Sequence, residues 1–99
     1  MQKEIDVIIC EPGKPPRKAK IKNTLEEMQK IVGGYIETFT FAEDACVICN
    51  EEGRLKGFAP CMKFLGKEFV GTCIFVGVAG DEFCSVPEIL TDILKRRTE

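Results

Sequence analysis

Residues 69–78 read FVGTCIFVGV, a run whose one polar side chain is Thr72. A strand with one wet face alternates apolar and polar residues, whereas a strand covered on both faces reads as an unbroken apolar run. The stretch therefore predicts one continuous central strand. Extended to Gly80 it is still too short to cross a bilayer, and its glycines interrupt it. The rest of the chain has to supply the strands beside it and the layers that cover it.

Towards the N-terminus, KEIDVIIC (3–10) is β-branched and partly alternating, a first strand. EPGKPP (11–16) turns the chain, because proline fixes φ and removes a donor. In RKAKIK (17–22), Lys18, Lys20 and Lys22 alternate with Ala19 and Ile21, which predicts an exposed second strand at a sheet edge. Thr24-x-x-Glu27 is a capping box, and Leu25, Met28, Ile31 and Val32 follow at helical spacing until Gly33-Gly34 stops the helix. YIETFTFAE (35–43) and ACVIC (45–49) read as two further strands. NEEG (50–53) is then a tight turn, and RLKGF (54–58) returns antiparallel.

APCMKFLGKE (59–68) carries no clear periodicity. Beyond the apolar run, AGDE (79–82) turns the chain, and Ser85-x-x-Glu88 reads as a second capping box. Ile89, Leu90, Ile93 and Leu94 form its apolar stripe, with Lys95, Arg96 and Arg97 in a last turn where cations suit the helix dipole. The fold class is α+β: one domain over residues 1–99, order β-β-α-β-β-β-β-α. Its single mixed or mostly antiparallel sheet has about five or six strands, covered by two amphipathic helices.

Composition narrows the chemistry. The net charge of −2 is not that of a generic polyanion binder, and the absence of histidine removes the usual acid–base group and the commonest nitrogen ligand. The charged start and short apolar run of MQKEIDVIIC lack the pattern of a secretory signal, so the chain is expected in the cytoplasm, with six reduced cysteines.

Cys46-x-x-Cys49 is open to zinc, dithiol redox or purely structural readings. On an extended strand, residues three apart point to opposite faces. No second C-x-x-C accompanies the pair, which favours structural thiols. Cys84, just before the second helix, is the best-placed nucleophile, but without histidine its usual activating base is missing. The glycines at 33–34 and 77–80 match neither phosphate-binding pattern. Adjacent Glu51 and Glu52 at a turn read as solvated carboxylates.

The basic run Lys14, Arg17, Lys18, Lys20 and Lys22 is the one local concentration of charge, suited to an acidic partner or to a small anionic ligand such as a nucleotide. The competing reading is a solvated edge whose lysines discourage edge-to-edge pairing. No aromatic residues accompany it for base stacking, which disfavours nucleic acid.

EPGK beside the first strand, NTLEEMQKIVGGYIE, ICNEEGRLKG and GTCIFVGV together resemble a family of small proteins of bacteria, phages and mobile elements, known as a domain of unknown function. The resemblance spans nearly the whole chain and implies an intracellular accessory protein. It supplies no catalytic residues and does not include the cysteines. It draws attention to the Glu11–Lys14 loop and to Asn50, Glu51 and Glu52.

The combined expectation is a non-enzymatic binding module. It would use a sheet edge or loops 11–18 and 50–56 to meet a protein partner or another copy of itself, with no cofactor, metal or membrane. The alternatives are a nucleotide-sequestering protein and a cysteine- or metal-dependent enzyme.

Overall fold

The computed structural model describes the backbone of residues 3–97 and the side chains of residues 3–94. Strands β1 (Glu4–Cys10) and β2 (Arg17–Lys22) precede helix α1 (Leu25–Val32), followed by β3 (Ile36–Ala42) and β4 (Ala45–Asn50). Then come β5 (Pro60–Phe64), β6 (Lys67–Val70), β7 (Cys73–Ala79), β8 (Glu82–Cys84) and helix α2 (Glu88–Arg97). The main sheet has the order β2-β1-β7-β4-β3, with β8 paired to β7, while β5 and β6 form a separate hairpin. Every pairing is antiparallel. The α+β class and the two helices are as expected.

Strand β7 lies at the centre and is buried on both faces. Ile74 and Val76 join Ile5, Val7, Ile9, Cys46 and Ile48 beneath Met28 and Val32 of α1. Cys73 and Phe75 face the other way, joining Ile8, Cys10 and Val47 under Phe64 and Phe69 of the hairpin and Leu90 and Leu94 of α2. Phe64 is the hub of this second layer, meeting Phe41 and Phe75 edge-on at 5.0 and 5.3 Å between centroids. The two helices thus lie on opposite faces, and the hairpin shares the work of α2.

Helix α1 follows its sequence signals. Thr24 Oγ1 accepts from the Glu27 amide at 3.2 Å, and Gly33 closes the helix at φ 83°, donating to the Gln29 carbonyl. Leu25, however, is 55% exposed and lies off the stripe.

Four expectations need correction. The run 69–78 is not one strand: Gly71 turns at φ 72°, where a Cβ would meet Phe58 at 2.7 Å, and this divides β6 from β7. Residues 54–58 are not a strand either. The Lys56 amide bonds the Glu52 carbonyl and the Phe58 amide bonds that of Gly53, so the segment coils instead of extending. Ser85 does not cap α2, because its Oγ accepts from the Asp6 amide at 2.9 Å while the Val86 amide donates to Asp6 O. On α2, Leu90 and Leu94 are buried but Ile89 and Ile93 are 70% and 40% exposed, so the stripe is half the expected width. The side chains of Lys95, Arg96 and Arg97 lie outside the described residues. Residues 59–68 resolve into β5, a tight turn and the start of β6.

Crossing from β8 to β1 brings residues 84–85 against Gly77. A Cβ at Gly77 would collide with the Ser85 carbonyl oxygen and lie 2.9 Å from Cys84 Sγ. Gly77→Ala is expected to destabilise the protein by about 1–3 kcal/mol, as overpacking against backbone does. Urea unfolding will show this as a lower midpoint with an unchanged slope.

Candidate functional site

The residues singled out in the sequence fall into three places. Lys18 and Lys20 of β2 line a groove of about 410 Å³ running between β1–β2 and α2, with Asp6, Val86, Glu88 and Thr91 as the other walls. The register sets Glu4 opposite Lys22 and Asp6 opposite Lys20. Lys20 Nζ pairs with Asp6 Oδ1 at 3.1 Å, and both groups are exposed. Lys14, Lys18 and Lys22 make no ion pair with any described residue. The basic strand is therefore an edge with part of its charge answered from the neighbouring strand.

Glu11 and Arg17 meet one another at the far end of β1–β2, Nε to Oε1 at 3.2 Å. They face Glu27 and Lys30 of α1 and Thr72 across a hollow of about 310 Å³. This pair is exposed enough to hold the 11–17 loop with only about 0–1 kcal/mol.

Asn50 is buried and occupied at both ends of its amide. Its Nδ2 donates to the Val32 carbonyl at 3.2 Å and its Oδ1 accepts from the Glu52 amide at 2.8 Å. A Cβ on Gly34 would come within 2.8 Å of that Nδ2, so the glycine pair that ends α1 also admits the Asn50 side chain. Asn50 thus ties the last turn of α1 to the turn leaving β4. Glu52 is exposed and pairs with Lys56 at 3.8 Å. Glu51 borders a narrow cleft of about 160 Å³ with Glu37, Cys49, Arg54, Lys67 and Glu68. Arg54 Nη2 donates to the Glu68 carbonyl, and Lys67 Nζ sits 4.6 Å from the centre of the Phe39 ring.

Cys46 and Cys49 diverge as strand geometry requires: Cys46 lies in the α1-side core, and Cys49 packs on the opposite layer. The sheet and the hairpin together bring close thiols that the sequence keeps apart. Cys10 is the cross-strand partner of Cys73, and the β4–β7 register ends by pairing Ile48 with Ile74, the neighbours in sequence of Cys49 and Cys73. Cys61 of the hairpin approaches the same row, its Sγ 3.5 Å from that of Cys73. Among the described residues, no three histidine, cysteine or carboxylate side chains are placed to hold a metal ion together. Cys84 ends β8, with residues 85–87 between it and the start of α2.

Environment separates these thiols. Burial pushes Cys10 up to about 12 and Cys46 up to about 11. Cys73, hydrogen-bonded to Cys49 and Cys61 and itself buried, is held far above the ordinary thiol range. The same contact with Cys73 lowers Cys61 and Cys49, and for Cys49 the Lys67 and Arg54 charges act in the same direction. Arg54, Lys67, Cys61 and Cys73 were not legible as site residues, since only the strand register and the folded-over hairpin assemble them.

Residues 5–98 match the family described as Domain of unknown function (DUF3846), and the chain belongs to that family. No curated protein and no solved structure matches it. Among the described residues, no helix is long and apolar enough to cross a membrane.

Asn50→Ala leaves the Val32 carbonyl and the Glu52 amide without their partner and is expected to cost about 1–3 kcal/mol, read from urea unfolding. Cys46 gives a pH signature of definite sign. Its folded-state pKa is raised, so its contribution is complete below the unfolded value and is lost as pH rises from about 9 towards about 11. Under reducing conditions the wild type should lose stability over that window faster than Cys46→Val. Parallel pH profiles of the two would refute the assignment.

Proposed function

We propose that this DUF3846 member is a non-catalytic binding module of the cytoplasm that takes an extended, acidic segment of a partner protein along the free edge of β2. The observation that carries the reading is the place of β2 at the end of the sheet order, with Arg17, Lys18, Lys20 and Lys22 making four of its six side chains cationic. A terminal strand has one side without a ladder, and strand addition supplies affinity through main-chain hydrogen bonds while flanking side chains select the sequence.

Charge argues for a foreign acidic partner over a second copy. Two β2 edges paired with each other would bring lysines face to face, which is destabilising. The groove beside the edge argues against a nucleotide, because Asp6 and Glu88 share it with Lys18 and Lys20 and would repel phosphate. In the mobile-element setting implied by the resemblance, the partner would be a protein of the host.

The test uses an extended peptide alternating glutamate with valine, titrated into isotopically labelled protein. Hydrogen-exchange protection is expected at residues 17–22, with affinity falling as salt rises. Reversing Lys18, Lys20 and Lys22 to glutamate should weaken binding by roughly tenfold or more, the sum of three partly exposed charge contacts. Protection elsewhere, or an affinity indifferent to both salt and charge reversal, would remove this reading. A thermal shift produced by adenosine triphosphate and not by the peptide would favour the small-ligand alternative.

A further inference from the structure

The β5–β6 hairpin contains an irregularity at one position. Pro60 pairs with Val70 and Met62 with Phe69, leaving Cys61 as the extra residue of a bulge. A bulge frees its residue from the ladder and re-aims the side chain. Here it turns Cys61 inward: its Sγ lies 3.4 Å from the Phe69 carbonyl and 3.5 Å from Cys73 Sγ. Cys73 is the first residue of the central strand, directly after the Gly71 turn, and is fully buried, while Cys61 is half-buried.

We propose that Cys61 and Cys73 are an oxidation site, a dithiol that a hydroperoxide converts reversibly into a disulfide joining the hairpin to β7. The Cys61 thiolate attacks the terminal oxygen of the hydroperoxide, and the O–O bond breaks. An alcohol or water leaves after taking up a proton, and Cys61 becomes a sulfenic acid. The Cys73 sulfur then attacks that sulfur, the S–O bond breaks, and the hydroxide departs as water with the proton of Cys73. Two thiols have given two electrons to one peroxide bond, and an added dithiol returns them.

Geometry makes the second step short, since the sulfurs need only close from 3.5 Å to about 2.0 Å by side-chain torsion. The thiol environments assign the roles. Cys61 is both reachable and lowered by its contact with Cys73, whereas Cys10 and Cys46 are buried and raised. The site lies on the hairpin layer, so it is independent of the β2 edge and goes beyond the binding reading.

The experiment treats the reduced full chain with hydrogen peroxide, blocks remaining thiols by alkylation and maps tryptic peptides by mass spectrometry. Because no lysine or arginine separates Cys73 from Cys84, it is run in a Cys84→Ser background. The expected product is a monomeric species two hydrogens lighter, with the peptides of Cys61 and Cys73 joined. It should revert with dithiothreitol and show a higher thermal midpoint. Cys61→Ser and Cys73→Ser should each abolish the joined peptide. Cys61→Ser removes only a half-buried thiol, so its effect is readable even if Cys73→Ser fails to fold. Oxidation of Cys61 to sulfinic acid with Cys73 still alkylated, or a bridge from either residue to Cys49 or Cys10, would overturn the proposal.

Discussion

The two-sided burial of β7 is the constraint from which the rest of the architecture follows. Cys73, Ile74, Phe75 and Val76 are each 0% exposed although successive side chains point to opposite faces. One covering layer cannot achieve that. The strands on either side share the requirement, since Val47 and Ile48 of β4, like Ile8 and Ile9 of β1, also alternate between two apolar layers. At about 1.5–3 kcal/mol for each large side chain removed from water, exposing either face would cost more than a domain of this size has in reserve. Hence α1 lies on one side and the β5–β6 hairpin with α2 on the other.

What could be read from the sequence was what is decided locally. Thr24, Glu27 and Gly33 define α1 through bonds spanning three or four residues, and the structure keeps them. The misreadings occur where a distant residue decides. Gly71 breaks the apolar run because Phe58 needs the space beside it, and nothing within 69–78 records that neighbour. Ser85 has the spacing of a cap, yet the Asp6 amide of β1 claims its hydroxyl from 79 residues away. Ile89 and Ile93 have helical spacing, but α2 meets the sheet along the narrow line of Leu90 and Leu94.

The same division governs the candidate sites. The basic character of β2 and its edge position were visible in RKAKIK, whereas the carboxylates opposite it depend on register: Glu4 and Asp6 were simply first-strand residues until pairing placed them beside Lys22 and Lys20. Asn50 carried a turn signal, and a turn residue it is. Its second bond, to Val32, is what makes it a strut between α1 and β4, and that bond could not be inferred from NEEG alone.

The thiols show how position along a strand sets what a doubly covered sheet permits. The middle of a doubly covered sheet accepts only side chains without polar demands. A protonated cysteine meets that condition as a small hydrophobe, and a thiolate does not. Cys46, amid the α1-side core, is confined to the first state by burial. Cys10, Cys49 and Cys73 sit where β1 and β4 end and β7 begins, and there the second layer is a hairpin with a bulge instead of a continuous helix. At that margin a buried thiol held above the ordinary range can lower a neighbour, as Cys73 does for Cys61. Packing and reactivity are therefore set by the same few ångströms of position along a strand, and a residue count or a spacing motif contains neither.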